Sequence, residues 1–183
     1  MSPKFLLVLF SLLFLSADQP KLVKVKVNKD ITISVPKDWR PMDELDFRER
    51  YPSVRAPLAA YTDPDRRVDF AVNVSATQWP DADINLAARF FKASVTNMFD
   101  RVTMIDEGIR KVNGKSFIYF VFESRVNGAR DDAANADPIL RYNYLQYLVE
   151  PGRTLVFSFS CPRRDRPSWE SSAQEMMDNI RIK

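Results

Sequence analysis

The sequence predicts an α+β domain: an α/β/α sandwich whose central, mainly antiparallel sheet holds about six or seven strands. Three observations carry this. In "SFIYFVFE" (116–123) apolar residues run consecutively. Phe117, Tyr119 and Val121 point to one side of an extended chain, while Ile118, Phe120 and Phe122 point to the other. A strand that is apolar on both sides needs a cover on both sides. A helical period interrupts the strands over 83–102, and a second helical stretch closes the chain over 168–182.

The elements follow in order. "KLVKVKV" (21–27) and "DITISVP" (30–36) alternate with a period of two, and the Asn28–Asp30 turn joins them as a hairpin. Trp39 is expected to pack on the sheet. Residues 40–57 read as an irregular loop with one short helical turn at Met42–Phe47. "LAAYTDPDRRVDFAVNVSATQW" (58–79) reads as strand, turn, strand, with Pro64 set for the turn. Val68, Phe70, Val72, Val74 and Ala76 share one face of the second strand. From 83 to 102 the residues Ile84, Ala87, Phe91, Val95, Met98 and Val102 recur at three or four, with Asp83 as the N-cap. Strands resume from 104, and Asn113–Gly114 is the strongest hairpin signal in the chain. A polar loop (127–138) leads to "ILRYNYLQYLVE" (139–150), and Pro151–Gly152 turns the chain into "RTLVFSFSC" (153–161). In the closing helix Ser168 is the expected cap, with Trp169, Ala173, Met176 or Met177, and Ile180 on one stripe.

Composition sets limits. The chain has 183 residues, enough for one domain with a sizeable core. "MSPKFLLVLFSLLFLSA" (1–17) has a charged start, an apolar run from Phe5 to Leu15 and small residues at the end. That is the layout of a secretory signal peptide. The run falls short of the roughly 20 residues a spanning helix needs. The expectation is an exported protein, periplasmic or secreted, with residues 18–183 as its domain and no integral membrane span once the signal is removed. Removing it takes Lys4 and no acid from a formal charge of +3, which leaves the domain near neutral. That total argues against a nucleic-acid partner, which would need a local basic patch.

There is one cysteine, so no internal disulfide forms, and there is no histidine. Without histidine the Ser–His–Asp and Cys–His arrangements are excluded. No catalytic, cofactor-binding or metal-binding residue is assigned, and no cofactor is expected. Cys161 ends a strand beside Arg163 and Arg164, which could lower its pKa. A small, half-buried hydrophobe is the better reading of a strand-end cysteine. Asp131, Asp132 and Asp137 do not follow the alternating-acid spacing of a calcium loop, and Asp63 and Asp65 flank Pro64 as turn residues. "CPRRDR" (161–166), with Arg163, Arg164 and Arg166, could dock a phosphate or an acidic partner. As a short mixed charge run it reads first as a solvated loop. Tyr142 and Tyr144 share one face of their strand with Tyr147 opposite, and packing under a helix is favoured over an open aromatic patch.

"ITISVPKDW", the helix followed by "NGKSFIYFVFE", the strand "YNYLQYLV", "PGRTLVFSFSC" and the closing helix led by Trp169 together resemble the PsbP-like superfamily. That group includes the photosystem II extrinsic subunit, a Ran-binding nuclear-transport factor and exported bacterial proteins of unknown role. The resemblance covers most of 22–182. It implies a central antiparallel sheet between helical layers. It also implies a non-enzymatic accessory or assembly role, performed by binding another envelope protein. The lack of histidine means that histidine-bearing metal sites of some plant members do not carry over. Any docking surface is expected on the sheet-edge loops, 40–57 and 127–138. The alternative is a carrier of a small apolar ligand, held in a gap between helix 84–101 and the sheet lined by Phe91, Val95, Phe117 and Tyr119. The oligomeric state is not readable.

Overall fold

The computed structural model describes residues 20–50, 56–77, 79, 83–127 and 137–183; the predicted signal segment 1–17 lies outside these residues. Among these residues ten strands and three helices follow one another. They are β1 (Leu22–Lys26), β2 (Ile31–Pro36), β3 (Arg40–Pro41), α1 (Glu44–Arg50), β4 (Ala59–Thr62), β5 (Asp69–Val74), α2 (Ile84–Asn97), β6 (Arg101–Val112), β7 (Lys115–Val126), β8 (Ile139–Glu150), β9 (Arg153–Pro162), a 3-10 turn (Arg163–Asp165), α3 (Arg166–Asp178) and β10 (Arg181–Ile182). Seven of the strands form one antiparallel sheet in the order β3-β4-β5-β9-β8-β7-β6, and β1, β2 and β10 form a separate small sheet.

β7 answers the demand of its own sequence. Phe117 and Val121 belong to one buried cluster, with Tyr142, Tyr144, Phe157 and Phe159 of the neighbouring strands. Ile118, Phe120 and Phe122 belong to another, with Tyr147. α2 covers the second cluster through Ala87, Phe91 and Val95. Its N-terminus is fixed as the sequence requires: the Asp83 carboxylate accepts from the Asn85 and Leu86 N–H groups at 3.0 and 3.2 Å. The Phe91 ring stacks on Tyr147 at 4.3 Å.

The first cluster is covered by α3 together with the small sheet, whose Ile31, Ile33 and Val35 are fully buried. That outer layer is therefore part strand, where helix alone was expected. Trp39 lies between Phe159 and Trp169, with ring centroids 6.5 and 5.4 Å away.

The helices are shorter than their periodicity suggests. α2 stops at Asn97, and Val102 lies in β6 although its spacing continues the helical stripe. α3 begins at Arg166 and not at Ser168. It ends where the Asn179 side chain and N–H both donate to Glu175 C=O, after which Arg181–Ile182 pairs with β2. Within 40–57 the helical turn expected at Met42–Phe47 is present as α1, and Arg40–Pro41 forms a short strand where loop was expected. α1 starts with a reciprocal cap: Asp46 N–H donates to Asp43 Oδ1 at 2.9 Å, and Asp43 N–H donates to Asp46 Oδ2 at 3.1 Å.

Candidate functional site

The β6–β7 hairpin turns at Asn113 and Gly114, both at positive φ (47° and 84°) as a type I′ turn requires. The turn sets Val112 opposite Lys115, and the pairing runs evenly as far as Asp106 opposite Val121. Ile105 is an extra residue, a β-bulge, and beyond it Met104 faces Phe122. Without the bulge Arg101 would oppose Val126. With it, Arg101 lies directly opposite Arg125.

Like charges in directly opposed positions of a sheet repel. Among the described residues neither arginine forms an ion pair; Arg125 donates to the Asn127 side chain at 2.8 Å. They line a cleft of about 310 Å³ with Thr103, Glu123, Leu140 and Arg163. An adjoining hollow of about 380 Å³ runs past Pro138 and Leu140 to Pro162, Arg163 and Arg164.

Glu123, which lies opposite Tyr142 in the register, is the acid within the cleft lining. It is already engaged: Arg166 donates to it at 3.3 Å and Arg163 stands 3.9 Å away. Arg166 is also held by Glu170 through bonds of 2.9 and 3.2 Å and stacks over the Tyr142 ring at 5.4 Å. The hydrogen bonds it donates to the Glu170 carboxylate, outweighing burial, keep its guanidinium pKa above the usual value. Arg166 is therefore part of the fold. Arg163 and Arg164 extend into solvent, with side chains 51% and 76% exposed. The predicted run "CPRRDR" thus divides into one structural clamp and two outward cations.

The other predicted residues fall as follows. Cys161 is fully buried, and burial pushes its thiol up to about 12 despite nearby Arg141. Tyr142 and Tyr144 are buried against the α3 layer, and burial pushes the Tyr144 hydroxyl up to about 12. Tyr147 is buried beneath α2, and its hydroxyl is likewise raised by burial. The Asp63 carboxylate accepts from the Arg67 and Val68 N–H groups at 2.7 Å each, closing the β4–β5 turn. Asp137 is exposed; Asp131 and Asp132 lie outside the described residues.

The carrier's proposed lining is overturned. Phe91 and Val95 pack on one face of the sheet, while Phe117 and Tyr119 lie on the opposite face, because alternate residues of β7 point to opposite sides. Phe117 faces Phe157, with ring centroids 6.0 Å apart. These four side chains share no space.

No profile of a known protein family matches the chain, nor does any curated protein sequence. Solved structures do match. The solution structure of cyanobacterial PsbP (CyanoP) from Synechocystis sp. PCC 6803 superposes with a TM-score of 0.60 at 11% identity, covering 88% of this chain and 92% of that one. LpqN of Mycobacterium tuberculosis, described as involved in cell envelope biogenesis, gives 0.59 at 18% identity over 89% and 91%. The Ran-binding protein Mog1p of Saccharomyces cerevisiae gives 0.57 at 13% identity over 90% and 96%. The chain has the PsbP-like fold, an α+β architecture around a seven-stranded antiparallel sheet. No helix among the described residues is long and apolar enough to cross a membrane.

Proposed function

We propose that this is an exported, non-enzymatic accessory protein that binds another envelope protein, docking an acidic segment of it in the arginine-lined cleft. The observation that carries the reading is the Arg101–Arg125 opposition. The free protein keeps two arginines at directly opposed positions, neither ion-paired among the described residues, and Arg163, 3.9 Å from Glu123, adds a third cation at the rim. A partner carboxylate would accept charge-assisted hydrogen bonds from this group and relieve the repulsion. Two further facts support a binding role. One protein of this fold is a Ran-binding protein and another is involved in cell envelope biogenesis. The segment 1–17 has the layout of an export signal. Export and the absence of an enzymatic activity belong to this proposal.

Immobilised protein exposed to its own envelope extract tests it. The wild type is expected to retain a stoichiometric partner that moderate salt releases, since exposed charge pairs are screened. Arg163→Glu is expected to lose that partner while melting like the wild type. Equal retention by the variant, or retention insensitive to salt, would reject the cleft as the docking surface.

A further inference from the structure

β6 is an edge of the seven-stranded sheet, with β7 on one side and, among the described residues, no strand on the other. Such an edge exposes a row of N–H and C=O groups; on β6 the Glu107 N–H already donates to Asp106 Oδ1 at 2.9 Å. In a two-residue hairpin the residues flanking the turn form a hydrogen-bonded pair, and bonded and non-bonded pairs then alternate. Val112 and Lys115 flank this turn, so Lys111, Ile109 and Glu107 are the positions whose backbone groups point away from β7. The regular stretch of the edge is bounded by the bulge at Ile105 and the turn at Asn113. It runs from Asp106 to Val112, and its midpoint is Ile109.

The side chains at these outward positions have a particular pattern. Ile109 is 41% exposed and lies on the α2 face of the sheet, at the mouth of a hollow of about 370 Å³ that reaches Ala88 and Phe120. Glu107 and Lys111 lie two residues to either side of it, on the same face. Glu107 is bridged to Lys92 of α2; among the described residues Lys111 makes no ion pair.

A strand paired antiparallel to itself about Ile109 places Ile109 opposite Ile109. It also places Glu107 opposite Lys111 at both flanks, and Gly108 opposite Arg110. The edge is therefore complementary to itself in charge, shape and backbone bonding in one register. A purely defensive edge would set like charges against each other there. The geometry points to a second copy of this chain as the occupant of the β6 edge, joining two seven-stranded sheets about a twofold axis at Ile109. The joint would hold about four backbone hydrogen bonds, rising to about six where the Glu107 N–H exchanges Asp106 Oδ1 for the partner copy's Lys111 C=O, and two symmetric ion pairs. So short a ladder buries little surface, which puts the association in the micromolar class.

The test uses protein purified from cells expressing all 183 residues, so that the form the cell makes is the form measured. Sedimentation equilibrium across the micromolar range is expected to show a reversible dimer. Ile109→Pro is expected to be monomeric yet folded, because the lost N–H faces solvent in the single chain. Glu107→Lys and Lys111→Glu, each alone, set like charges together twice and are expected to weaken association about tenfold or more. An equimolar mixture of the two restores opposite charges at both flanks and is expected to associate like the wild type. This arm stays informative even if the proline variant fails to fold. A wild type that stays monomeric overturns the inference, as does a dimer unaffected by these substitutions or a mixture no tighter than its components.

Discussion

Two clusters of arginine on this molecule have opposite fates. Around α1, Arg40 and Arg66 converge on Asp46, whose side chain is fully buried. The contacts are 2.8 Å from Arg40 Nη1 and 2.8 Å from Arg66 Nε. At the other end of the sheet Arg101 and Arg125 face each other across β6 and β7, and no carboxylate among the described residues pairs with either. The first cluster is a closed circuit: each charge meets its opposite inside the chain, so it holds α1 to the β4–β5 turn. The second is open: no acid of the described residues pairs with either arginine, so a carboxylate from outside the chain would lower its free energy. A satisfied charge cluster is a fold feature, while an unsatisfied one at a concave surface suggests a binding site.

The comparison breaks most visibly at Asp46. Asp46→Ala leaves Arg40 and Arg66 without their acceptor and removes half of the α1 cap. Because both arginines are about 40% exposed, the loss is discounted from that of a fully buried pair to about 2 kcal/mol. The melting temperature is expected to fall by about 6 °C, measured by calorimetry. The same substitution should leave partner retention at the cleft unchanged.

Acid gives the next largest effect. Burial alone would raise the Asp46 pKa, but hydrogen bonds from Arg40, the Asp43 backbone and Arg66 outweigh it and hold the carboxyl at about 2, below its ordinary 3.8. A folded-state pKa below the unfolded one contributes stability that is present above pH 3.8 and is lost as pH falls toward 2. Denaturant midpoints are expected to decline over that window in the wild type, and to decline less steeply in Asp46→Asn. An identical slope in both would show that Asp46 is not the group concerned.

The two regions also differ in how far the sequence exposes them. The layered core was legible because it rests on local periods. Consecutive β-branched and aromatic residues after the Asn113–Gly114 turn signal fit a strand covered twice, and Asp83 before a three-four repeat fits a helix start. Two-residue strands such as Arg40–Pro41 and Arg181–Ile182 have no period to read, so they merged with their neighbours. Val102 fell on the helical stripe by coincidence of spacing. The cleft was hidden for a different reason. Its arginines lie at 101, 125 and 163, and the register that brings the first two together depends on a bulge at Ile105. Counting back from Asn113–Gly114 would have set Arg101 against Val126 instead. A bulge follows from twist and packing at the sheet edge, and nothing in "TMIDEG" marks it.

The smallest change separates fold from binding at the cleft. Arg101→Glu converts the cross-strand repulsion with Arg125 into an attraction, and so should stabilise the free protein by about 0.5 kcal/mol. Its unfolding free energy should be measured against the wild type, on the same preparations assayed for partner retention. A rise in stability together with lost retention is the expected result. A fall in stability, or retention at the wild-type level, would mean that the two arginines are not held in opposition for a partner.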